Sequence, residues 1–309
     1  MPLPDIPSPT FEPDIFNTTA YYALHAPRFG GIGVRSEHVR PGTNTPTGIF
    51  HAMQVRPGLF VSPGRGAYGG FDITSDMDDA ELVHFITSTE ELLRTAGAQH
   101  VELVLPPFCY MPQHGPRALA ILCRQGYRVI RQELNQAVTV GETSLAEQGN
   151  YANRKRLNKA ARAGLVVRQL EVSEYQSGYE AILENRLKKE RSLSMSWEDV
   201  QAMIAAFPER VHLFGAEQND GIIAAAICLT VSRRVLYVYA WGERAGAEPL
   251  SPVSSIAAHV YAFAQRRGIA LLDLGTSSVD GIVNPGLIRY KQSLGATPSL
   301  KLWLKKSLG

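Results

Sequence analysis

One segment near the carboxyl end of the chain, residues 268–305, concentrates residue types that could do chemistry. Its apolar run at 269–274 predicts a buried strand that carries one carboxylate, Asp273. A polar loop follows at 276–284, and a short helix begins near Pro285, a residue suited to a first helical turn. A strand, a polar loop and a helix bearing a cation often build a site at the carboxyl end of a sheet. We therefore expect a site in this segment.

The candidate catalytic residues are Asp273, Tyr290 and Lys291. Burial at the end of an apolar strand would raise the pKa of Asp273 toward that of a general base, while the alternative is a carboxylate that braces the loop. Lys291 could hold an anionic group as a point charge, and an exposed helix cation is the ordinary alternative. Tyr290 could transfer a proton or flank the site, or it could be a partly buried aromatic residue whose hydroxyl is satisfied.

Polar and aromatic residues supply candidate substrate contacts. Ser277 and Asn284 could donate hydrogen bonds to a substrate, although both residue types equally suit a turn. Tyr239 and Trp241 alternate with Tyr237, so the three share one face of a predicted strand. They could form the wall of a pocket, and ordinary core packing is the alternative.

A basic run at 153–162 is a further candidate binding surface, because it contains five cations and no acid. A solvated helix face is the usual explanation of such a run. The sharper interpretation is a phosphate-binding surface for tRNA or a nucleotide-linked substrate. Without interleaved aromatic residues, RNA binding would depend on charge alone. The cations are Arg154, Lys155, Arg156, Lys159 and Arg162, and we select Arg154, Lys155 and Lys159 as binding candidates.

Composition limits the class of protein. Hydrophobic residues make up 45% of the 309 positions and charged residues 19%, which is typical of a folded protein, and the net charge of +2 argues against a strongly basic nucleic-acid binder. Three cysteines without C-x-x-C spacing and eight scattered histidines suggest reduced thiols and no metal site. The reduced thiols favour a cytoplasmic protein. The longest apolar run, 222–231, is too short to span a bilayer.

The predicted elements repeat along the chain. Two strands, a loop, a long helix ending in Gly, a strand, a polar loop, a short helix ending in Gly and a final strand occur twice. Gly97 and Gly268 end the long helices 171 residues apart, and Gly126 and Gly295 end the short ones 169 residues apart. This spacing predicts a duplicated domain. The predicted domains are a proline-rich arm at 1–30, a first domain at 31–141 and a second domain at 142–309 that carries the site.

Several motifs resemble a known family. NRKRLNKAARAGL, the strand ending in LDLG, and NPGLIRYKQSLGA are similar to the second half of the Fem-type transferases, and SPGRGAYGGFD resembles their glycine-rich loop. These proteins are the FemAB-like, bacterial-type branch of the GNAT acyltransferase superfamily. The resemblance implies an α/β fold in which each of two tandem GNAT-like domains is a mixed sheet flanked by helices. It also implies transfer of an acyl or aminoacyl group to an amine.

By the same resemblance, Tyr290 and Lys291 would engage the acyl donor and stabilise charge at the reacting centre. Lys291 would then stabilise the tetrahedral oxyanion or hold a donor phosphate, and Tyr290 could protonate the leaving group. The implied co-substrate is acyl-CoA or aminoacyl-tRNA, with no permanently bound cofactor. One departure concerns the donor, because the usual R/Q-x-x-G-x-G/A turn for a pyrophosphate is replaced by GERAGAEPLSP in the second domain and GRGAYGG in the first. A second departure is the lack of the long charged helical hairpin that some relatives carry.

The sequence therefore leaves three functions open. The leading one is an N-acyltransferase that moves an acyl group from an acyl-CoA-like donor to a small-molecule amine acceptor by direct attack. The second is an aminoacyl-tRNA-dependent transferase, for which tRNA would be a partner. The third is a non-catalytic GNAT-like protein that binds a ligand or a partner.

Overall fold

The computed structural model describes residues 11–219 and 221–309, which fall into two units. Among the described residues, unit 1 holds 11–131 together with 302–309, and unit 2 holds 132–219 and 221–301. Of the predicted N-terminal arm, residues 1–10 lie outside the described residues. The remainder of that arm contains short 3₁₀ turns at Ile15–Asn17 and Ala26–Phe29 and a helix, α1, at Thr19–His25.

Unit 1 is a mixed sheet with helices. Its helices after α1 are α2 (Asp79–Thr95) and α3 (Gly115–Arg124), and its strands begin with β1 (Gly33–Val39), β2 (Pro46–Arg56), β3 (Leu59–Ser62), β4 (Asp72–Ile73) and β5 (His100–Val104). The strands β1, β2 and β3 are antiparallel neighbours, β4 pairs with β2, and β3 pairs with β5 in parallel. β1 falls in a glycine- and proline-rich stretch to which the sequence assigns no element.

The long helix α2 shows why the sequence folds in this way. Asp78 and Glu81 form a capping box that satisfies the first backbone N–H groups. Leu82, Phe85 and Leu93 repeat at helical spacing and are buried against the sheet. Leu92, on the same helix, is exposed.

Unit 2 is a second mixed sheet flanked by helices. Its helices are α4 (Leu145–Gln148), α5 (Tyr151–Arg162), α6 (Tyr175–Lys188), α7 (Trp197–Ala206), α8 (Pro252–Arg266) and α9 (Pro285–Ser293). Its strands are β6 (Arg128–Thr139), β7 (Val166–Gln169), β8 (Val211–Gln218), β9 (Gly221–Ser232), β10 (Val235–Glu243), β11 (Leu271–Thr276), β12 (Ser278–Val279), β13 (Ile282–Val283) and β14 (Thr297–Ser307). The sheet order is β6-β11-β10-β9-β8-β7, parallel at β10–β11 and antiparallel at the other pairs. The predicted α/β class with mixed sheets is confirmed.

The β12–β13 hairpin is a feature that the sequence interpretation missed. The sequence predicts a polar loop at 276–284. Asp280 and Gly281 both have positive φ, 51° and 77°, which is the backbone that a two-residue hairpin turn requires. The dipeptide Asp-Gly is a strong signal for this turn, so the loop prediction is wrong at these residues.

The last strand of each repeat contributes to the other unit. β6 follows α3 along the chain, yet residues 132–139 belong to unit 2, where β6 pairs with β11. β14 follows α9, yet residues 302–307 belong to unit 1, where β14 pairs with β5. The predicted boundary after residue 141 refers to the repeat in the sequence and stays a prediction. The two structural units divide between residues 131 and 132. No helix among the described residues has both the length and the apolarity needed to cross a bilayer.

Leu304→Ala tests the contribution of β14 to unit 1. The Leu304 side chain is fully buried, so truncation should leave a cavity and lower the free energy of unfolding by about 2–5 kcal/mol. Leu300→Ala is the matched control, because Leu300 lies on the same strand and is 44% exposed. We expect the control to cost less than about 1 kcal/mol. Urea denaturation of the two variants measures the difference, and equal losses would contradict this role for β14.

Candidate functional site

A cleft opens in unit 2 where two parallel strands separate. The pairing of β10 with β11 runs from Val235–Leu271 to Tyr237–Asp273. Beyond this point β10 has a bulge at Tyr239, since Val238 pairs with Cys228 and Ala240 pairs with Ile227. Such bulges often lie next to functional sites because they redirect side chains. Two cavities, of 680 Å³ and 490 Å³, lie along this cleft.

Lys291 lies in the wall of the larger cavity. Its helix, α9, starts at Pro285, and the Asn284 side chain caps it by accepting the Leu287 N–H at 3.0 Å. Lys291 is only 2% exposed, and its Nζ donates to the carbonyl oxygens of Gly275 at 2.7 Å and Thr276 at 2.9 Å. The alternative of an exposed helix cation is therefore wrong.

A bulge in β11 presents the two carbonyl groups to Lys291. Asp273 pairs with Ala137 and Thr276 pairs with Asn135, so β11 holds one more residue than β6 over this stretch. Gly275 adopts a φ of +77° there, which a residue with a side chain rarely does. Oδ1 of Asp273 accepts the Gly275 N–H at 2.7 Å and Nδ2 of Asn135 at 2.8 Å. Asp273 thus holds the turn in place, and it lines neither cavity.

The position of Lys291 changes its acidity. Burial lowers the pKa of Lys291 from 10.5 to about 7, the carboxylate of Asp273 opposes the shift, and the charge of Arg186 adds to it. Both the neutral and the charged amine are therefore populated near neutral pH. A buried amine with this pKa can exchange a proton with a bound substrate.

Tyr290 lines the smaller cavity. Its hydroxyl lies 3.3 Å from Oγ of Ser254, and its ring meets Trp241 edge to face at 6.1 Å. The Arg156 guanidinium lies over the same ring at 5.3 Å, and its Nη1 donates to Oγ of Ser293 at 2.8 Å. Burial raises the pKa of Tyr290 to about 12, so the phenol keeps its proton at neutral pH.

The other predicted contact residues take different places. Tyr239 and Trp241 line the larger cavity with Tyr237, and the Tyr239 hydroxyl is 2.6 Å from Oγ of Ser194. Ser277 also lines this cavity, but its Oγ donates to Oε1 of Gln136 at 2.6 Å. Asn284 lines both cavities while its side chain caps α9.

The basic run divides between two environments. Arg154, Lys155 and Lys159 are exposed on α5, and neither cavity has any of them in its wall. Arg154 donates to the Gly149 carbonyl at 3.1 Å. Arg156, from the same run, instead lines the smaller cavity. The structure therefore does not bring the three selected cations together with Lys291.

The sequence interpretation missed a second group of cations. Arg186, Lys189 and Arg191 line the larger cavity, and the last two also line the smaller one. They belong to the end of α6 and the residues that follow it. Basic residues are common at helix ends because they favour the helix dipole, so the sequence offers no specific signal for them.

The start of α8 lies where the sequence comparison places the pyrophosphate turn of acyl-CoA-binding GNAT enzymes. Ser251, Val253 and Ser254 line the smaller cavity, but Pro252 begins the helix and has no N–H to offer an anion. Among the described residues, no group of His, Cys, Asp and Glu is arranged to hold a metal ion.

Lys291→Met should change how stability depends on pH. Folding lowers the pKa of Lys291 from 10.5 to about 7, so the unfolded chain binds more protons between these values and stability rises with pH there. Methionine does not titrate. The free energy of unfolding of the wild type, minus that of the variant, should therefore rise by up to about 1.4 kcal/mol per pH unit. Urea denaturation across this window measures the difference, and a flat difference would contradict a depressed pKa.

Comparisons with known proteins agree with this architecture. Residues 151–292 match the model of the acetyltransferase (GNAT) domain family. The chain is similar to the crystal structure of FemX, with a TM-score of 0.75 at 12% identity, over 95% of this chain and 92% of that one. It is also similar to L-PGS from Bacillus licheniformis, with a TM-score of 0.61 at 10% identity, over 95% and 93% of the two chains.

A third likeness is to a tandem GNAT protein from the clavulanic acid biosynthesis pathway. Its TM-score is 0.52 at 12% identity, over 93% of this chain and 87% of that chain. No curated protein sequence matches the chain. These likenesses show the Fem-type tandem-GNAT fold that the sequence motifs predicted.

Proposed function

We propose that this chain, which has the Fem-type tandem-GNAT fold, is an N-acyltransferase that moves an acyl group from an acyl-CoA-like donor to a small-molecule amine. The observation that supports this most is the buried Lys291 amine in the wall of the larger cavity. Burying a lysine is costly, and a pKa near neutrality suits a residue that moves protons. Acyl-CoA would serve as a co-substrate in the cytoplasm, with no permanently bound cofactor.

Lys291 first accepts a proton. An amine acceptor arrives mainly as an ammonium ion, which has no lone pair for attack. Neutral Lys291 has two N–H bonds, which the carbonyls of Gly275 and Thr276 accept, and one lone pair for the cavity that Lys291 lines. Transfer of one proton from the acceptor to Lys291 leaves a neutral amine next to the donor.

The amine then attacks the donor carbonyl carbon. A C–N bond forms and the carbonyl electron pair moves onto oxygen, where protonated Lys291 stabilises the negative charge. The nitrogen loses its second proton to water, and the intermediate collapses as the bond to the leaving thiolate breaks. Tyr290, whose pKa of about 12 keeps it protonated, donates a proton to the thiolate and regains one from water. Lys291 then releases its proton to water, which restores the neutral amine for the next turnover.

Side chains would hold the phosphate groups of the donor in the smaller cavity. Arg156 and Lys189 line it, and Tyr290 and Trp241 supply apolar surface. These cations take the role that backbone N–H groups would have in a pyrophosphate turn. We favour acyl-CoA over tRNA because the exposed cations of α5 lie outside both cavities, so neither cavity depends on them.

Lys291→Met should lower kcat/KM by about 10²–10⁴-fold, because the variant can neither accept the proton nor stabilise the oxyanion. In the wild type, kcat/KM should rise with pH to a plateau above about pH 7, since neutral Lys291 is the active form. Release of CoA thiol from a panel of acyl-CoA donors and amines measures both. Lys155→Met, on the exposed face of α5, is the control and should retain activity.

Two results would contradict this mechanism. One is a variant at Lys291 with the activity of the wild type. The other is a kcat/KM that falls, instead of rising, as pH increases through about 7. In that case the protonated form of Lys291 would be the active one.

The alternative donor, an aminoacyl-tRNA, draws support from the exposed cations of α5 and from the likeness to FemX. A variant with Arg154→Gln, Lys155→Gln and Lys159→Gln separates the two. With an acyl-CoA donor, its KM for acyl-CoA should equal that of the wild type. With a tRNA donor, filter binding should weaken, and the slope of log affinity against log salt should fall by about 0.7–0.9 for each phosphate that the variant no longer neutralises.

A further inference from the structure

We propose that Arg186 and Arg191 bind a carboxylate of the acceptor, so that the acceptor is an amino-acid-type molecule with both an amine and a carboxylate. This rests on the proposed acyl transfer and names the substrate class for the larger cavity. The chemistry assigned to Lys291 requires only an amine, so the carboxylate is an independent claim.

Both arginines lie at one end of α6. Arg186 is in its last turn, and the N–H of Arg191 donates to the Arg186 carbonyl at 2.9 Å. Both side chains line the larger cavity together with Lys291. Nε of Arg186 is buried and has no hydrogen-bond partner among the described residues. A buried polar group without a partner is uncommon, and a missing ligand is one explanation for it.

Two of the acids near the end of α6 are engaged elsewhere. Glu184 pairs with Arg244 at 3.1 Å and also accepts the Ala245 N–H. Glu248 pairs with Lys188. Within residues 11–219 and 221–309, no carboxylate lies at ion-pair distance from either Arg186 or Arg191.

The wall of the larger cavity therefore holds four cations, which repel one another, and one carboxylate, that of Asp280. Burial lowers the pKa of Arg186, the charge of Arg191 lowers it further, and Tyr239 and Tyr237 oppose the shift. Arg186 in turn contributes to the lowered pKa of Lys291. A bound anion would relieve this repulsion and replace the water that Arg186 has lost.

A carboxylate fits this position better than a donor phosphate. The reacting amine must lie beside Lys291 in the larger cavity, and Arg186 lines only that cavity. The smaller cavity has Arg156 for the donor. A guanidinium is planar and matches a carboxylate with two parallel hydrogen bonds. An amine and a carboxylate on one small molecule can thus contact Lys291 and Arg186 together.

Turnover of paired acceptors tests the proposal. We would use alanine, leucine and lysine, each beside its carboxamide, which keeps the α-amine and removes the carboxylate. The wild type should prefer the acids by about 10–100-fold in kcat/KM. Arg186→Gln should lower kcat/KM for the acids by a similar factor and far less for the amides. Its KM for acyl-CoA should stay as in the wild type.

Lys188→Gln is the matched control, because Lys188 is a cation of the same helix that lines neither cavity, and its preference for acids should be unchanged. If Arg186→Gln folds poorly, Arg191→Gln takes its place, because Arg191 is exposed. Arg191→Gln should also lower kcat/KM for the acids more than for the amides. Equal losses for acids and amides, a raised KM for acyl-CoA, or a wild type without preference for acids would each overturn the proposal.

Calorimetry separates this proposal from the proposed reaction. If the wild type transfers no acyl group to any amine, titration with the same acids and amides still tests the carboxylate site. Binding of the acids alone, abolished in Arg186→Gln, would support the site although acyl transfer had failed. Equal binding of acids and amides, or binding of neither, would overturn it.

Discussion

The placement of one amine, the Nζ of Lys291 between the carbonyls of Gly275 and Thr276, sets the chemistry available to unit 2. Two carbonyl oxygens can face one side chain only because β11 holds an extra residue and Gly275 takes a positive φ. The carboxylate of Asp273 fixes that turn from behind. The cap at Asn284 sets where α9 begins and thus where Lys291 falls on it. The β11 bulge, the turn at Gly275 and the start of α9 together position the Lys291 amine.

The same placement of the Lys291 amine costs stability. A buried charge loses its hydration, and the carbonyl oxygens of Gly275 and Thr276 replace only part of it. The charge of Asp273 opposes the lowering of the Lys291 pKa, and the charge of Arg186 adds to it. The pKa of Lys291 therefore lies near neutrality. An apolar side chain would fit a stable core better. A buried lysine at this position is therefore more consistent with a chemical role than with packing.

Local signals in the sequence predicted the elements well and the site only in part. Glycine stops such as Gly268 and Gly295 end helices close to where the structure ends them, since this signal is local. The sequence also indicated Lys291, but the turn that its amine contacts is held by Asp273, which is hydrogen-bonded to Asn135 of β6, 138 residues away along the chain. Arg186 was missed because a cation at a helix end is ordinary until the strands beside it are known.

Two sets of cations with similar sequence patterns have different surroundings, and this difference constrains the function more than total charge does. The cations of α5 at Lys155 and Lys159 face solvent, where water and salt screen them. Arg156 and Arg186 lie against aromatic rings or in a cavity wall, where a ligand charge is felt more strongly. Because Pro252 removes one backbone donor at the start of α8, an anion bound in the cleft would depend more on such side chains. Specificity for anionic co-substrates would then reside in α5 and α6 and less in the sheet.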